Sequence, residues 1–303
     1  MKRSIRLPNF IVVGAPKSGT TSLFYYLKQH PDIYLPVRKE LHYFSYEYLK
    51  ENTKGPGDKD VLSSLCANRR EYESHYIEVK NERMIGDISP SYLYYCNVSG
   101  RILSELGKIK IVMVLRNPVE KAYTQYMHLI RDNRETLLFY DALMEEQKRM
   151  LAGWSDIWRY AESSLYAERV NKYISIFGPD NVKFILFDDF VIAPDEVMRS
   201  LFKFLNVDAD VHCDTSKTYN RTGTPKFKMV SDFFAKPNPV KTIVKKIIPE
   251  KLRIPTRLAL LDWNTGKKNS MDRKSREYLI KYFSDDIVDL SKILGNKLWW
   301  LNG

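Results

Sequence analysis

At 303 residues and 44% hydrophobic content, the chain has enough apolar material for a sizeable core, and its length alone does not divide it into domains. Its 48 basic and 37 acidic side chains leave a net charge of +11, which suits an anionic ligand and carries no information about fold. The cysteines Cys66, Cys96 and Cys213 are far apart with no CxxC pair, which argues against a disulfide framework or a zinc site. No nucleic-acid-binding motif accompanies the charge.

In chain order, Phe10-Ile11-Val12-Val13 is short, β-branched and ends at Gly14, as a buried strand does. This apolar run is too short for a signal or membrane-spanning segment, so a cytoplasmic location and a reducing compartment are expected. Thr21 to His30 reads as a helix stopped by Pro31, and residues 50–60 read as a polar Gly/Pro loop. Met84 to Ile88 is a short strand, 97–106 a helix, and Ile109 to Leu115 the clearest strand, stopping at Arg116-Asn117-Pro118. Helices are predicted at 118–132, 136–151 and 165–177, a strand at Asn181 to Phe187, and a helix from Pro194 to Leu205. Alternation of this kind predicts an α/β fold: a parallel sheet with helices on both faces. From 220 onward the chain turns basic, Pro-dotted and helical. One domain over 1–303 is expected, with a C-terminal subdomain at about 220–303 packed on it.

Three segments carry chemistry. Gly14-Ala15-Pro16-Lys17-Ser18-Gly19-Thr20-Thr21 lies between a predicted strand and a predicted helix. Such a loop turns backbone N–H groups and a helix N-terminus toward an anion, with Lys17 as a point charge and the Thr20 and Thr21 hydroxyls as further donors. Arg116 stands at the C-terminal end of a strand, where open α/β sheets bind ligands, and the Thr124 hydroxyl two helical turns on can approach the same group. Lys39, Glu40 and His42 form a polar cluster in an aromatic stretch, a setting that can raise a carboxylate pKa toward use as a general base. Each has a plainer interpretation on its own: a strand–helix turn, a turn after a strand, and a solvated helix start.

Lys17 precedes Gly19, whereas a Walker A loop places its Lys after the second Gly. With Pro16 in front, that order resembles the 5′-phosphosulfate loop of sulfotransferases that use 3′-phosphoadenosine 5′-phosphosulfate (PAPS). Arg116 followed by Thr124 resembles the family's 3′-phosphate site, with Thr in place of Ser. Lys39-Glu40-Leu41-His42-Tyr43-Phe44 resembles the Glu-x-His-Phe-Phe stretch of the heparan sulfate and related carbohydrate sulfotransferases. Gly86 to Tyr92 resembles their Glu-Lys-Ser/Thr-Pro stretch, with Asp87 for Glu and Ile88 where many relatives carry Lys. Tyr219 to Lys226 resembles the late cofactor loop, and Gly266-Lys267-Lys268-Asn269 is a second candidate for it.

The resemblance spans about residues 8–210 by motif order. It implies a P-loop-like central parallel sheet flanked by helices, PAPS as co-substrate, PAP as product, and no metal. It implies cofactor contacts from Pro16, Lys17, Ser18, Gly19, Thr20, Thr21, Arg116 and Thr124, and from Arg221, Thr222, Gly223 and Lys226. Glu40 would be the base, Lys17 would stabilise the leaving phosphate oxygen, and His42 would bond to the sulfuryl oxygens or the acceptor. The implied acceptor is a hydroxyl, on a saccharide rather than a nucleic acid; oligomeric state is left open. Two alternatives stand beside this. A P-loop kinase or NTPase would use the strand ending in Asp188-Asp189, and a non-catalytic binder of acidic polysaccharide would use the basic tail.

Overall fold

The computed structural model describes residues 5–95, 97–217, 219, 256, 260, 266 and 270–300. Five strands form one sheet: β1 (Phe10–Gly14), β2 (Ile33–Tyr34), β3 (Met84–Ile88), β4 (Lys110–Leu115) and β5 (Val182–Leu186), in spatial order β2-β3-β1-β4-β5. Every pairing is parallel, as the alternation of apolar runs and amphipathic stretches predicts.

Successive residues of the central strands serve opposite faces. Ile11, Val13, Ile111, Met113 and Leu115 join one core, and Phe10, Val12, Val112 and Val114 join the other. The second core is closed by Leu23, Phe24 and Leu27 of the helix Thr20–Leu27 and by Met198, Leu201 and Phe202 of the helix Pro194–Phe204. The first is closed in part by Leu279, Phe283, Ile287 and Leu290, which line up along one side of the long helix Arg273–Leu294. Both faces are therefore covered, which is why the strands read as unbroken apolar runs rather than alternating ones. No helix among the described residues is long and apolar enough to cross a membrane.

Two expectations need correction. The helix predicted at 136–151 is two short ones, Phe139–Met144 and Glu146–Leu151. Ahead of them the Glu135 carboxylate accepts from the Thr136 and Leu137 amides, and Glu146 turns inward to accept from the Ala161 and Glu162 amides. The stretch 50–60 is also not simply a polar loop. It contains the start of the helix Asp58–Leu62, and Asp58 is buried. Its carboxylate accepts from the amides of Gly55 and Ser155, the Ser155 hydroxyl, the Trp158 indole N–H and the Arg134 guanidinium.

The topology fixes where a ligand can sit. The chain leaves β1 toward β2 and β3 on one side, then crosses to β4 on the other, so the C-terminal ends of β1 and β4 flank the switch point. The Gly14–Thr21 segment and Arg116 emerge there side by side.

Candidate active site

The segment after β1 turns sharply. The Ala15 amide donates to the Val114 carbonyl at 2.8 Å, tying the turn to β4, and Lys17 and Gly19 both take left-handed backbone at φ 63° and 82°. At Gly14 an added Cβ would lie 2.6 Å from the Leu93 Cβ, so the strand end requires glycine. Lys17 is thereby placed on the wall of a cavity of about 880 Å³, which Pro16, Gly19, Thr20 and Thr21 also line. Ser18 is fully buried behind it. Lys17 makes no ion pair among the described residues. Burial, and next the Arg131 guanidinium nearby, lower its pKa to about 7 against the opposing pull of Asp132 and Glu40.

Arg116 closes the loop from the β4 side by donating to the Lys17 carbonyl at 2.8 Å, with its guanidinium 4.5 Å from the centre of the Phe187 ring. Asn117 then caps the helix Pro118–Arg131 by accepting from the Val119 amide, and Pro118 occupies its first turn. That helix brings Thr124 to the cavity, where its hydroxyl is buried and lacks a hydrogen-bond partner among the described residues. A buried hydroxyl with no partner and a guanidinium with no ion pair among the described residues, both lining one cavity, are suited to an anion.

Glu40 and His42 approach from the third side. Both adopt positive φ, 63° and 53°, and are held there from β3: the Glu40 amide donates to the Ile88 carbonyl and the His42 amide to the Ser89 hydroxyl, each at 3.1 Å. Asp87, buried, accepts from Ser89, Tyr72 and Tyr92, so it anchors Ser89 under His42. Ile88 is buried in the core. His42 Nδ1 lies 2.5 Å from the Ser91 hydroxyl, and its Nε2 lies 3.9 Å from the Glu40 carboxylate.

The Glu40 side chain is half-exposed toward the cavity and ion-paired with Lys39. Enclosure by the cavity walls acts to raise its pKa, but the Lys39 ammonium and the His42 ring outweigh that and hold it well below the usual carboxylate range. This reverses the expectation of a raised pKa. Tyr43 and Phe44, the aromatic neighbours in sequence, turn into the core instead of packing over the carboxylate.

The structure thus brings Lys17, Thr20, Thr21, Glu40, His42, Arg116 and Thr124 to one cavity. Arg221, Thr222, Gly223 and Lys226 lie outside the described residues, as do Lys267, Lys268 and Asn269. The chain approaching the late loop is tethered over the first helix: the Tyr26 hydroxyl donates to the Thr215 and Lys217 carbonyls, and Tyr219 stacks on Tyr25 at 4.2 Å. Sequence reasoning missed His128, Arg131 and Asp132 on the same wall. Arg131 donates to His128 Nδ1 at 2.6 Å and to Asp132 at 3.0 Å. Burial, and then Lys17, push the His128 pKa well down. The spacing of Thr124, His128 and Arg131, four and then three residues apart, is the signal that would have found them. Asp188 and Asp189, the carboxylates a nucleotide triphosphatase would use, are exposed in the first turn of the short helix Phe187–Ile192, where Asp188 accepts from the Trp300 indole.

The fold and sequence are similar to those of known sulfotransferases. A crystal structure of a sulfotransferase from Alicyclobacillus acidocaldarius superposes with a TM-score of 0.79 at 32% identity, covering 99% of this chain and 100% of that one. The membrane-associated sulfotransferase kil1 of Dictyostelium discoideum is 37% identical over 120 residues, 40% of this chain and 22% of its own. The bifunctional heparan sulfate N-deacetylase/N-sulfotransferase 3 of Mus musculus is 25% identical over 95% of this chain and 30% of its own, so the chain spans less than a third of either curated relative. The model of the Sulfotransferase family matches residues 8–211, two thirds of the sequence, and the chain belongs to that family.

Proposed function

We propose that the chain transfers a sulfuryl group from PAPS to a hydroxyl of a carbohydrate acceptor. The observation that carries the nucleotide half is the buried Thr124 hydroxyl, without a partner among the described residues, on the wall it shares with Arg116 and Lys17. A group with phosphates at two ends fits this arrangement: Arg116 and Thr124 would hold one end, and Lys17 with the amides of the Pro16–Thr21 loop the other. The carbohydrate half rests on likeness, over 95% of this chain, to a relative named for heparan sulfate. A cavity of about 880 Å³ leaves room for acceptor as well as nucleotide.

When bound, PAPS supplies a sulfuryl group whose sulfur exchanges its bond to the 5′-phosphate oxygen for one to the acceptor oxygen. Glu40, ionised at neutral pH, takes the hydroxyl proton as that oxygen becomes a nucleophile. Lys17 and the loop amides neutralise charge where the phosphate departs. His42, oriented by Ser91, presents Nε2 to the acceptor side of Glu40.

The nucleotide assignment is tested by calorimetry with PAP. Arg116→Ala should weaken binding by about 2–4 kcal/mol, because it removes a charge-assisted contact from a desolvated site. Thr124→Val should cost less, about 1–2 kcal/mol, since one hydroxyl is lost. Wild-type affinity in both folded variants would refute the placement.

A further inference from the structure

The role of Lys39 goes beyond the charge it adds to the loop. Its ammonium donates to the Thr20 hydroxyl at 3.2 Å, to the Thr21 hydroxyl at 3.1 Å and to the Glu40 carboxylate. Thr20 and Thr21 belong to the first turn of the helix that follows the loop, whereas Glu40 is held to β3 through its amide. One side chain therefore links two parts of the site that separate chain segments supply. Thr20, Thr21 and Glu40 line the cavity, and Lys39 is not among the lining residues. The Lys39 side chain is only 14% exposed while the Glu40 side chain is half-exposed, so the ion pair is shielded from screening on the Lys39 side alone.

We propose that Lys39 is a positioning residue that holds the Glu40 carboxylate in register with the Thr20 and Thr21 hydroxyls. The proposal rests on Glu40 being the base. The left-handed backbone at Glu40 aims the carboxylate at the cavity, and Lys39 fixes which way it points. The same contact keeps Glu40 deprotonated in mildly acidic solution, so the base stays available as pH falls. The other groups facing the carboxylate are His42, 3.9 Å away, and the Lys17 ammonium on the same wall.

The test is a carbon-13 NMR titration of the free protein, with the Glu40 carboxyl resonance identified by its loss in Glu40→Gln. In Lys39→Met that resonance should titrate about 1–3 pH units higher than in wild type, the usual effect of removing an adjacent opposite charge. The acidic limb of kcat/KM against pH should move the same way, and Lys39→Arg, which keeps the charge, should leave both near wild type. If Lys39→Met and Lys39→Gln fold yet leave the Glu40 titration in place, Lys39 is only a structural contact and the proposal is overturned. Full turnover in Glu40→Gln would remove the base assignment on which the kinetic limb depends. The NMR titration would still report whether Lys39 holds the carboxylate.

Discussion

At the scale of single residues, Glu40 pairs with Lys39 and Arg131 with Asp132, whereas Lys17 and Arg116 form no ion pair among the described residues. For Lys17, burial and Arg131 lower the pKa to about 7 despite the opposing pull of Asp132 and Glu40. An anion bound beside it favours the ammonium, so its pKa rises on binding and a proton is taken up. Affinity for PAP should therefore fall as pH climbs above about 7. Calorimetry at pH 8 in buffers of different ionisation enthalpy should report uptake of close to one proton, lost in Lys17→Met. Heats that do not depend on the buffer would contradict this. Lys17, Arg116 and Thr124 were legible in the sequence from their places relative to strand ends, and Glu40 from the polar cluster it forms with Lys39 and His42; the structure brings all four to one cavity. The direction of the Glu40 pKa was not legible, because it depends on which neighbours face the carboxylate. Lys39 and His42 do, while Tyr43 and Phe44 turn away.

Among the elements, four of the five strands were readable, because doubly covered strands leave continuous apolar runs that few other structures produce, whereas the two-residue β2 (Ile33–Tyr34) leaves none. What was not readable is where side chains interrupt helices or pin loops. Asp58 shows why: it sits in a Gly/Pro-bearing polar stretch, yet it gathers Gly55, Ser155, Trp158 and Arg134 from sites up to 100 residues apart. No local pattern records such partners. Asp58→Ala should destabilise the chain by about 3–5 kcal/mol in urea, because it strands a mostly buried guanidinium and several donors. A loss below about 1 kcal/mol would mean the network relaxes or is solvated.

Considered as a whole molecule, the chain combines a parallel sheet covered on both faces with a cavity at the switch point, and the helix Arg273–Leu294 shares the core of one face. The net charge of +11 suits both an anionic nucleotide and an acidic saccharide, and by itself separates neither from the kinase alternative. What separates them is the order of Lys17 and Gly19, together with carboxylates at Asp188 and Asp189 that are exposed and do not line the cavity. The most direct measurement follows both products when the protein is incubated with PAPS and a saccharide acceptor in EDTA. Sulfated saccharide and PAP should form in equal amounts, and Glu40→Gln should lower the rate by about 10²–10⁴-fold, what a positioned proton acceptor contributes, while its melting temperature and PAP affinity stay near wild type. Turnover of ATP that EDTA abolishes, with no PAP released from PAPS, would contradict the account.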